Sequence, residues 1–238
     1  MIEKAREWIR ESRRPVALTG AGISAESGVP TFRGAGGLWR QFRAEDLATP
    51  QAFHRDPKLV WEWYDFRRQS LKGVEPNAGH TFLARWQMRR PEVVLITQNV
   101  DGLHDRAGSR NVLKLHGDIW MVRCTVCGRE TRNEEAPLDE IPPSCADCTG
   151  LLRPGVVWFG ESLPPGVWER AEDAVDDCDL LLVVGTSAVV YPAAGLVPSA
   201  KSHGARVIEV NLEETPVSGT VDLSLLGKAG EILPELLR

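Results

Sequence analysis

Five short apolar runs, each closed by small or polar residues, limit the fold of this 238-residue chain more than any other feature. They are Pro15 to Thr19, Val93 to Thr97, Asn111 to Leu115, Leu180 to Val184 and Arg206 to Val210, with a weaker sixth at Val221 to Leu225. Near-continuous Val, Leu and Ile without alternation marks strands that are covered on both faces. Stretches with helical patterning, such as Gly79 to Arg89 and Val167 to Asp176, lie between several of the runs. The N-terminal MIEKAREWIRESRRP also spaces its apolar residues as a helix does. Strand and helix in alternation predict an α/β fold with a parallel sheet.

The first run enters Gly20-Ala-Gly22-Ile-Ser24, the second Gln98-Asn99-Val-Asp101, and the third His116-Gly117. The fourth enters Gly185-Thr186-Ser187 and the fifth Asn211-Leu212-Glu213. In open α/β sheets ligands bind at the carboxyl ends of the strands, so these endings mark one cleft on a Rossmann-like parallel sheet with helices on both faces. Two segments break the alternation. Pro30 to Asn77 reads as loop followed by helices, and Cys124 to Cys148 is polar, Pro-containing and a poor match to any strand or long helix. Both are expected to be insertions that build a smaller lobe over the sheet edge.

Cys124-x-x-Cys127 and Cys145-x-x-Cys148 are separated by 17 residues. Two such pairs supply four thiolates for tetrahedral zinc, and four sulfurs close the site, so the metal would be structural. Two disulfides or a redox pair are the alternative, which fits a reducing compartment less well. Cys178, alone beside an apolar run, reads as a core residue.

Composition excludes some partners. The net charge is −5 and the basic doublets are scattered, so no nucleic-acid footprint is expected. The N-terminus lacks the apolar core of a signal peptide, and no apolar run approaches the roughly 20 residues needed to cross a bilayer. A cytoplasmic, monomeric protein is the expectation.

Gly20 and Gly22 after a strand point to phosphate binding, though the spacing G-x-G-x-x-G is absent, since the next glycine is Gly28. The match runs further. Gly20-Ala-Gly-Ile-Ser-Ala-Glu-Ser-Gly-Val-Pro-Thr-Phe-Arg33 resembles the NAD-binding signature of sirtuins. So do Thr97-Gln-Asn-Val-Asp101, Leu115-His-Gly117, Gly185-Thr-Ser187 and Asn211-Leu-Glu213, in the family's order and with the four-cysteine insert in its place. The resemblance covers essentially the whole chain. It implies one sirtuin catalytic domain over 1–238, with a large Rossmann-like lobe at about 1–45, 79–120 and 154–238. The small lobe would combine a helical module at about 46–78 with a zinc ribbon at about 121–153.

The resemblance implies NAD as a cosubstrate. Gly20, Ala21, Gly22, Ser24, Ala25, Thr31, Phe32, Arg33 and Trp39 would hold its pyrophosphate and close over the nicotinamide ribose. Gln98, Asn99, Asp101 and His116 would face the nicotinamide end. Gly185, Thr186 and Ser187 would line the phosphate and adenosine side, with Asn211, Leu212, Glu213 and Ala229 on the adenosine. A lone His after a strand is more often structural than catalytic; the resemblance makes His116 the general base. The implied reaction begins with attack of a lysine acyl oxygen on the anomeric carbon of the NAD ribose. Nicotinamide leaves, an alkylimidate forms, and proton removal by His116 leads to free lysine and O-acyl-ADP-ribose.

The implied partners are acylated lysine peptides, paired by strand addition with Val156, Val157, Trp158, Phe159 and Gly160. Gly155 stands where many relatives carry a His. In the helical stretch Trp61 to Arg68, Tyr64 and Arg67 lie at i and i+3 on one face. By itself the pair reads as a core tyrosine beside a solvated arginine. After Ala48-Thr-Pro50, however, Tyr-x-x-Arg resembles the acidic-acyl pocket of class III sirtuins, which implies desuccinylase and demalonylase activity with acetyl also removed. The competing readings are a Rossmann oxidoreductase, a non-enzymatic cysteine-ribbon module, and ADP-ribosyl transfer as a minor activity.

Overall fold

The computed structural model describes residues 1–32, 37–38 and 43–237. Six parallel strands form the large sheet: β1 (Pro15–Thr19), β2 (Val94–Thr97), β3 (Leu113–Lys114), β7 (Leu180–Val184), β8 (Arg206–Asn211) and β9 (Leu223–Leu226). Their spatial order is β3-β2-β1-β7-β8-β9, so the chain builds outward from β1 in one direction and then from β7 in the other. Period-2 alternation sends Ala17, Leu95, Leu182 and Ile208 to one face and Val16, Leu18, Ile96, Leu181 and Val183 to the opposite one. The first face is covered by α1 (Ile2–Glu11), α5 (Ala78–Arg89) and α9 (Ala229–Glu235), through Ile9, Phe82, Trp86 and Leu233. The second is covered by α7 (Pro165–Asp177) and α8 (Leu196–Ser202), through Ala171, Val175, Leu196 and Val197. Both faces of the sheet are dry, as the unbroken apolar runs require.

The remaining elements supply the rest of the site. Asn99 and Asp101 follow β2 and lead into the short α6 (Leu103–Arg106). The segment before α5 folds as α2 (Ala44–Leu47), α3 (Pro50–Arg55) and α4 (Pro57–Lys72). Thr49 and Asp56 cap α3 and α4 by accepting backbone amides, and Pro50 and Pro57 occupy the first turns, where no amide partner is lost. These helices pack Phe53, Trp61 and Tyr64 against an antiparallel sheet of order β5-β4-β6, made of β4 (Gly117–Cys124), β5 (Glu130–Arg132) and β6 (Leu152–Val156).

Two expectations are corrected. The third strand is two residues long instead of spanning Asn111 to Leu115, because Asn111 takes the left-handed φ of +52° and cannot begin an extended segment. Leu115 still donates to the Thr97 carbonyl at 2.9 Å. The cysteine insert does hold strand: β4 ends on Cys124 and β5 lies inside the segment. Edge strand Glu130-Thr-Arg132 shows no apolar residue, so no alternation could reveal it.

Candidate active site

The two halves of the large sheet meet where β1 and β7 end, and here backbone packs on backbone. Gly22 N–H donates to Gly185 O at 2.7 Å. A Cβ on Gly22 would lie 2.7 Å from Gly185 Cα, and one on Gly185, at φ +60°, 2.3 Å from Ile23 N. Only glycines permit this approach. Beyond Gly20 the chain forms a 3₁₀ helix, Ala21–Ser27.

A cavity of about 640 Å³ opens above this junction. Sixteen of the predicted cosubstrate residues line it: Gly20, Ala21, Gly22, Ala25, Thr31, Phe32, Gln98, Asn99, His116, Gly185, Thr186, Ser187, Asn211, Leu212, Glu213 and Ala229. Arg33 and Trp39 lie outside the described residues. Ser24 and Asp101 do not line the cavity; they form a buried layer behind it. His80 Nδ1 accepts the Asn77 amide at 3.3 Å, so its Nε2 carries the proton and donates to Ser24 Oγ, also at 3.3 Å. Ser24 accepts from Asn99 Nδ2 at 3.2 Å and donates to Asp101 Oδ2 at 2.7 Å. Burial raises the Asp101 carboxyl pKa, against the Leu103 amide and the Ser24 hydroxyl that favour its anion. Asn99 is the member of this network that reaches the cavity, and its carboxamide orientation is set from behind.

His116 stands at the cavity wall with Nδ1 3.0 Å from the Gln98 carbonyl oxygen. Burial lowers its pKa, and the bond to Gln98 opposes that shift. Gly117 takes φ +79°, and a Cβ there would lie 2.2 Å from Gly155 O, so the turn that presents His116 demands glycine.

The eight predicted substrate residues, Ala48, Tyr64, Arg67, Val156, Val157, Trp158, Phe159 and Gly160, also line the cavity. The amides of Val157, Trp158 and Phe159 already donate to His116 O, Glu161 Oε2 and Ala48 O, so this segment would meet a peptide strand mainly with carbonyl oxygens. A Cβ on Gly155 would lie 2.6 Å from Met121 Cβ, so this backbone leaves no room for the His of relatives.

Tyr64 is 2% exposed, and burial raises its pKa. Arg67 is half-buried, its guanidinium carbon 5.0 Å from the Phe32 ring, 4.8 Å from Trp63 and 5.6 Å from Tyr64. Among the described residues no carboxylate forms an ion pair with it. Its neighbour Arg68 is fully buried and structural, donating to Ile119 O and Asn133 Oδ1, with burial lowering its pKa to about 10. The sequence reading missed Trp63, one turn before Arg67 on the same face, whose i,i+4 spacing was available. It also missed Val189 and Tyr191, which reach the cavity from the loop after β7 and carry no local signal.

The four cysteine sulfurs lie within 4.8 Å of one another and form no disulfide. The amides of Val126 and Cys127 each donate to Cys124 Sγ at 3.4 Å and favour its thiolate. A closed set of four sulfurs with amide donors behind it fits structural zinc. None of the four lines the cavity.

Comparison with known proteins agrees with this geometry. The Sir2 family model matches residues 20–192. The chain is 58% identical over 219 residues to an NAD-dependent protein deacylase of Aquifex aeolicus (strain VF5), covering 92% of each chain. It is 52% identical over 238 residues to NAD-dependent protein deacylase 1 of Archaeoglobus fulgidus, covering all of this chain and 97% of that one. Among solved structures, a Sir2 homolog–NAD complex superposes with a TM-score of 0.93 at 52% identity, over 99% of this chain and 92% of the other. A Sir2–p53 peptide–NAD+ complex does so at 0.89 and 32%, over 100% and 97%.

Proposed function

The chain belongs to the Sir2 family, and we propose that within it this enzyme favours lysine acyl groups that end in a carboxylate, succinyl and malonyl, while still removing acetyl. It is an NAD-dependent protein deacylase, with NAD as cosubstrate and acylated peptide as substrate.

When bound, NAD supplies an anomeric carbon from which nicotinamide departs as the acyl oxygen attacks. The residues of this chain then have distinct tasks. The Ala21 amide and the polar groups of Thr186 and Ser187 would hold the pyrophosphate, the Gly20 and Gly22 amides being committed to Val184 O and Gly185 O. Gln98, anchored by its Nε2 on Thr186 Oγ1 at 2.9 Å, and Asn99, held from behind by Ser24, would orient the nicotinamide end. Asn211, Leu212 and Glu213 would contact the adenosine. His116, with Nδ1–H committed to Gln98, would accept a ribose hydroxyl proton at Nε2. The strand from Val156 to Gly160 would dock the peptide.

Arg67 carries the acyl preference. A half-buried cation on the cavity wall, stacked on three aromatic rings, with the buried Asp101 acting on it only from beyond ion-pairing distance, suits an incoming carboxylate. The Tyr64 hydroxyl would add a hydrogen bond, and Ala48 leaves space for the longer chain. An acetyl group would leave the guanidinium unpaired, which lowers its relative affinity. Charge-assisted hydrogen bonds contribute about 1.5–3 kcal/mol each, so Arg67→Met should reduce kcat/KM on a succinyl-lysine peptide by roughly 10²-fold. The matching acetyl peptide should lose only a few fold. Equal losses on both would remove the acidic-acyl assignment.

A further inference from the structure

Behind the acyl pocket lies a linked set of side-chain contacts. Arg153 on β6 places its guanidinium carbon 3.6 Å from the centroid of the Trp158 ring. Its Nη1 and Nη2 donate to the two carboxylate oxygens of Glu161 at 2.6 and 2.9 Å, and Nη2 also to Val156 O at 3.1 Å. Glu161 accepts the Trp158 amide at 2.8 Å, which closes the turn. Phe53 also packs on the indole, with centroids 5.3 Å apart and planes tilted by 38°. Held in this way, Trp158 is 3% exposed and aims Nε1 at the Tyr64 hydroxyl oxygen, 3.0 Å away.

An indole N–H donates and never accepts. Tyr64 therefore accepts from Trp158, and the Tyr64 proton has to point elsewhere. We propose that Trp158 is a specificity-determining residue that acts through Tyr64: it holds the phenol as a hydrogen-bond donor toward the cavity, beside Arg67. The pocket wall then presents a hydroxyl proton and a guanidinium and turns no acceptor lone pair toward the ligand's distal end. A carboxylate fits that arrangement; an acetyl methyl does not sense it. The cation against the indole face strengthens the chain, because a polarised N–H donates more strongly and makes the phenol in turn a better donor. The inference rests on the acidic-acyl reading of Tyr64 and Arg67.

The test compares succinyl-lysine and acetyl-lysine peptides of one sequence at saturating NAD, with wild type, Trp158→Phe, Tyr64→Phe, the double variant and Arg67→Met. Trp158→Phe keeps an aromatic plane under Arg153 and removes only the donor and one ring. Losing one neutral hydrogen bond should cost the succinyl peptide a factor of roughly 5–10 in kcat/KM, mostly in KM. The acetyl peptide should lose less, so the succinyl-to-acetyl ratio of kcat/KM should fall by about threefold or more. The double variant should be no worse on succinyl than Tyr64→Phe alone, since both changes break one path. If Trp158→Phe does not fold, the benzothienyl isostere of tryptophan, with sulfur for N–H, removes the donor at constant shape and should give the same split. Equal losses on both peptides, or additive losses in the double variant, while Arg67→Met still separates the substrates, would overturn the role of Trp158 and leave the pocket assignment standing. If Arg67→Met fails to separate them, the pocket assignment falls and this inference with it.

Discussion

His116 gives its Nδ1 proton to the carbonyl oxygen of Gln98, 3.0 Å away, and so keeps its lone pair on Nε2. Burial holds the imidazole below its ordinary pKa, so the neutral, proton-accepting form dominates across the neutral range. Deacylation should therefore be flat near neutrality and fall on acidification, with the kcat/KM midpoint below about 6.5. A midpoint above 7 would assign the controlling proton to another group.

No other imidazole lines the cavity among the described residues. His116→Ala should accordingly lower the deacylation rate by about 10²–10⁴-fold, the usual general-base contribution. The ring is half-buried at the cavity wall, so the melting temperature should stay within a few degrees. Full activity in this variant would remove His116 from the chemistry.

His80 and His104 give the fold an acid limit of their own. Their rings lie 5.0 Å apart, 0% and 2% exposed, and burial lowers their pKa values to about 4 and about 3. The unfolded chain binds protons at these residues below about 6.5 and the folded chain does not, so stability is full above that pH and is lost as pH falls. Around pH 5 two protons separate the states, a slope of about 2.7 kcal/mol per pH unit. Urea titrations at pH 7.5, 6 and 5 should show it, and His104→Asn should remove about half. A flat profile between pH 6 and 5 would mean that both rings are charged in the folded protein.

Zinc loss should act on stability, because the four sulfurs close the site and none faces the cavity. Cys145→Ser should abolish bound metal and lower the melting temperature by at least about 6 °C, the shift that a loss of roughly 3 kcal/mol gives in a chain of this size. A variant without metal that melted with wild type would refute a structural role.

What the sequence reveals depends on how local the cause is. Pro15 to Thr19 and Leu180 to Val184 were bounded correctly because both faces of those strands are buried, so the apolar run ends where the strand does. The cysteine spacing was legible because zinc ligands come in local pairs. Glu130-Thr-Arg132 was not, since an edge strand with water on both sides has no apolar period. Within the site, residues that end a strand were readable from the strand. Ser24 and Asp101 could be linked to the cavity, but their depth behind Asn99 depends on His80, 56 residues from Ser24 and on another element. Tyr191 reaches the site by tertiary approach alone.

The cavity wall proposed to hold the adenosine rests on a buried carboxylate. Glu209 on β8 is 1% exposed and accepts hydrogen bonds from Thr215 Oγ1, Ser218 Oγ and Ser224 Oγ. No cation pairs with it among the described residues; three hydroxyls replace its water shell, which is what a buried carboxylate requires. Thr215 and Pro216 line the cavity, so the carboxylate fixes the loop that follows Asn211 and Glu213 to the strand beneath it. Glu209→Leu would leave the Thr215 and Ser218 hydroxyls without their acceptor and free the loop, at a cost of about 1–3 kcal/mol. Part of that cost would appear as ordering of the loop when the cosubstrate binds, raising the KM for NAD about tenfold with kcat at saturating NAD largely retained. The KM for peptide should not move. Thr215→Val, which removes one of the three donors, should give a smaller shift in the same direction. If kcat fell and the KM for NAD stayed constant, Glu209 would matter to the catalytic centre and not to the adenosine loop.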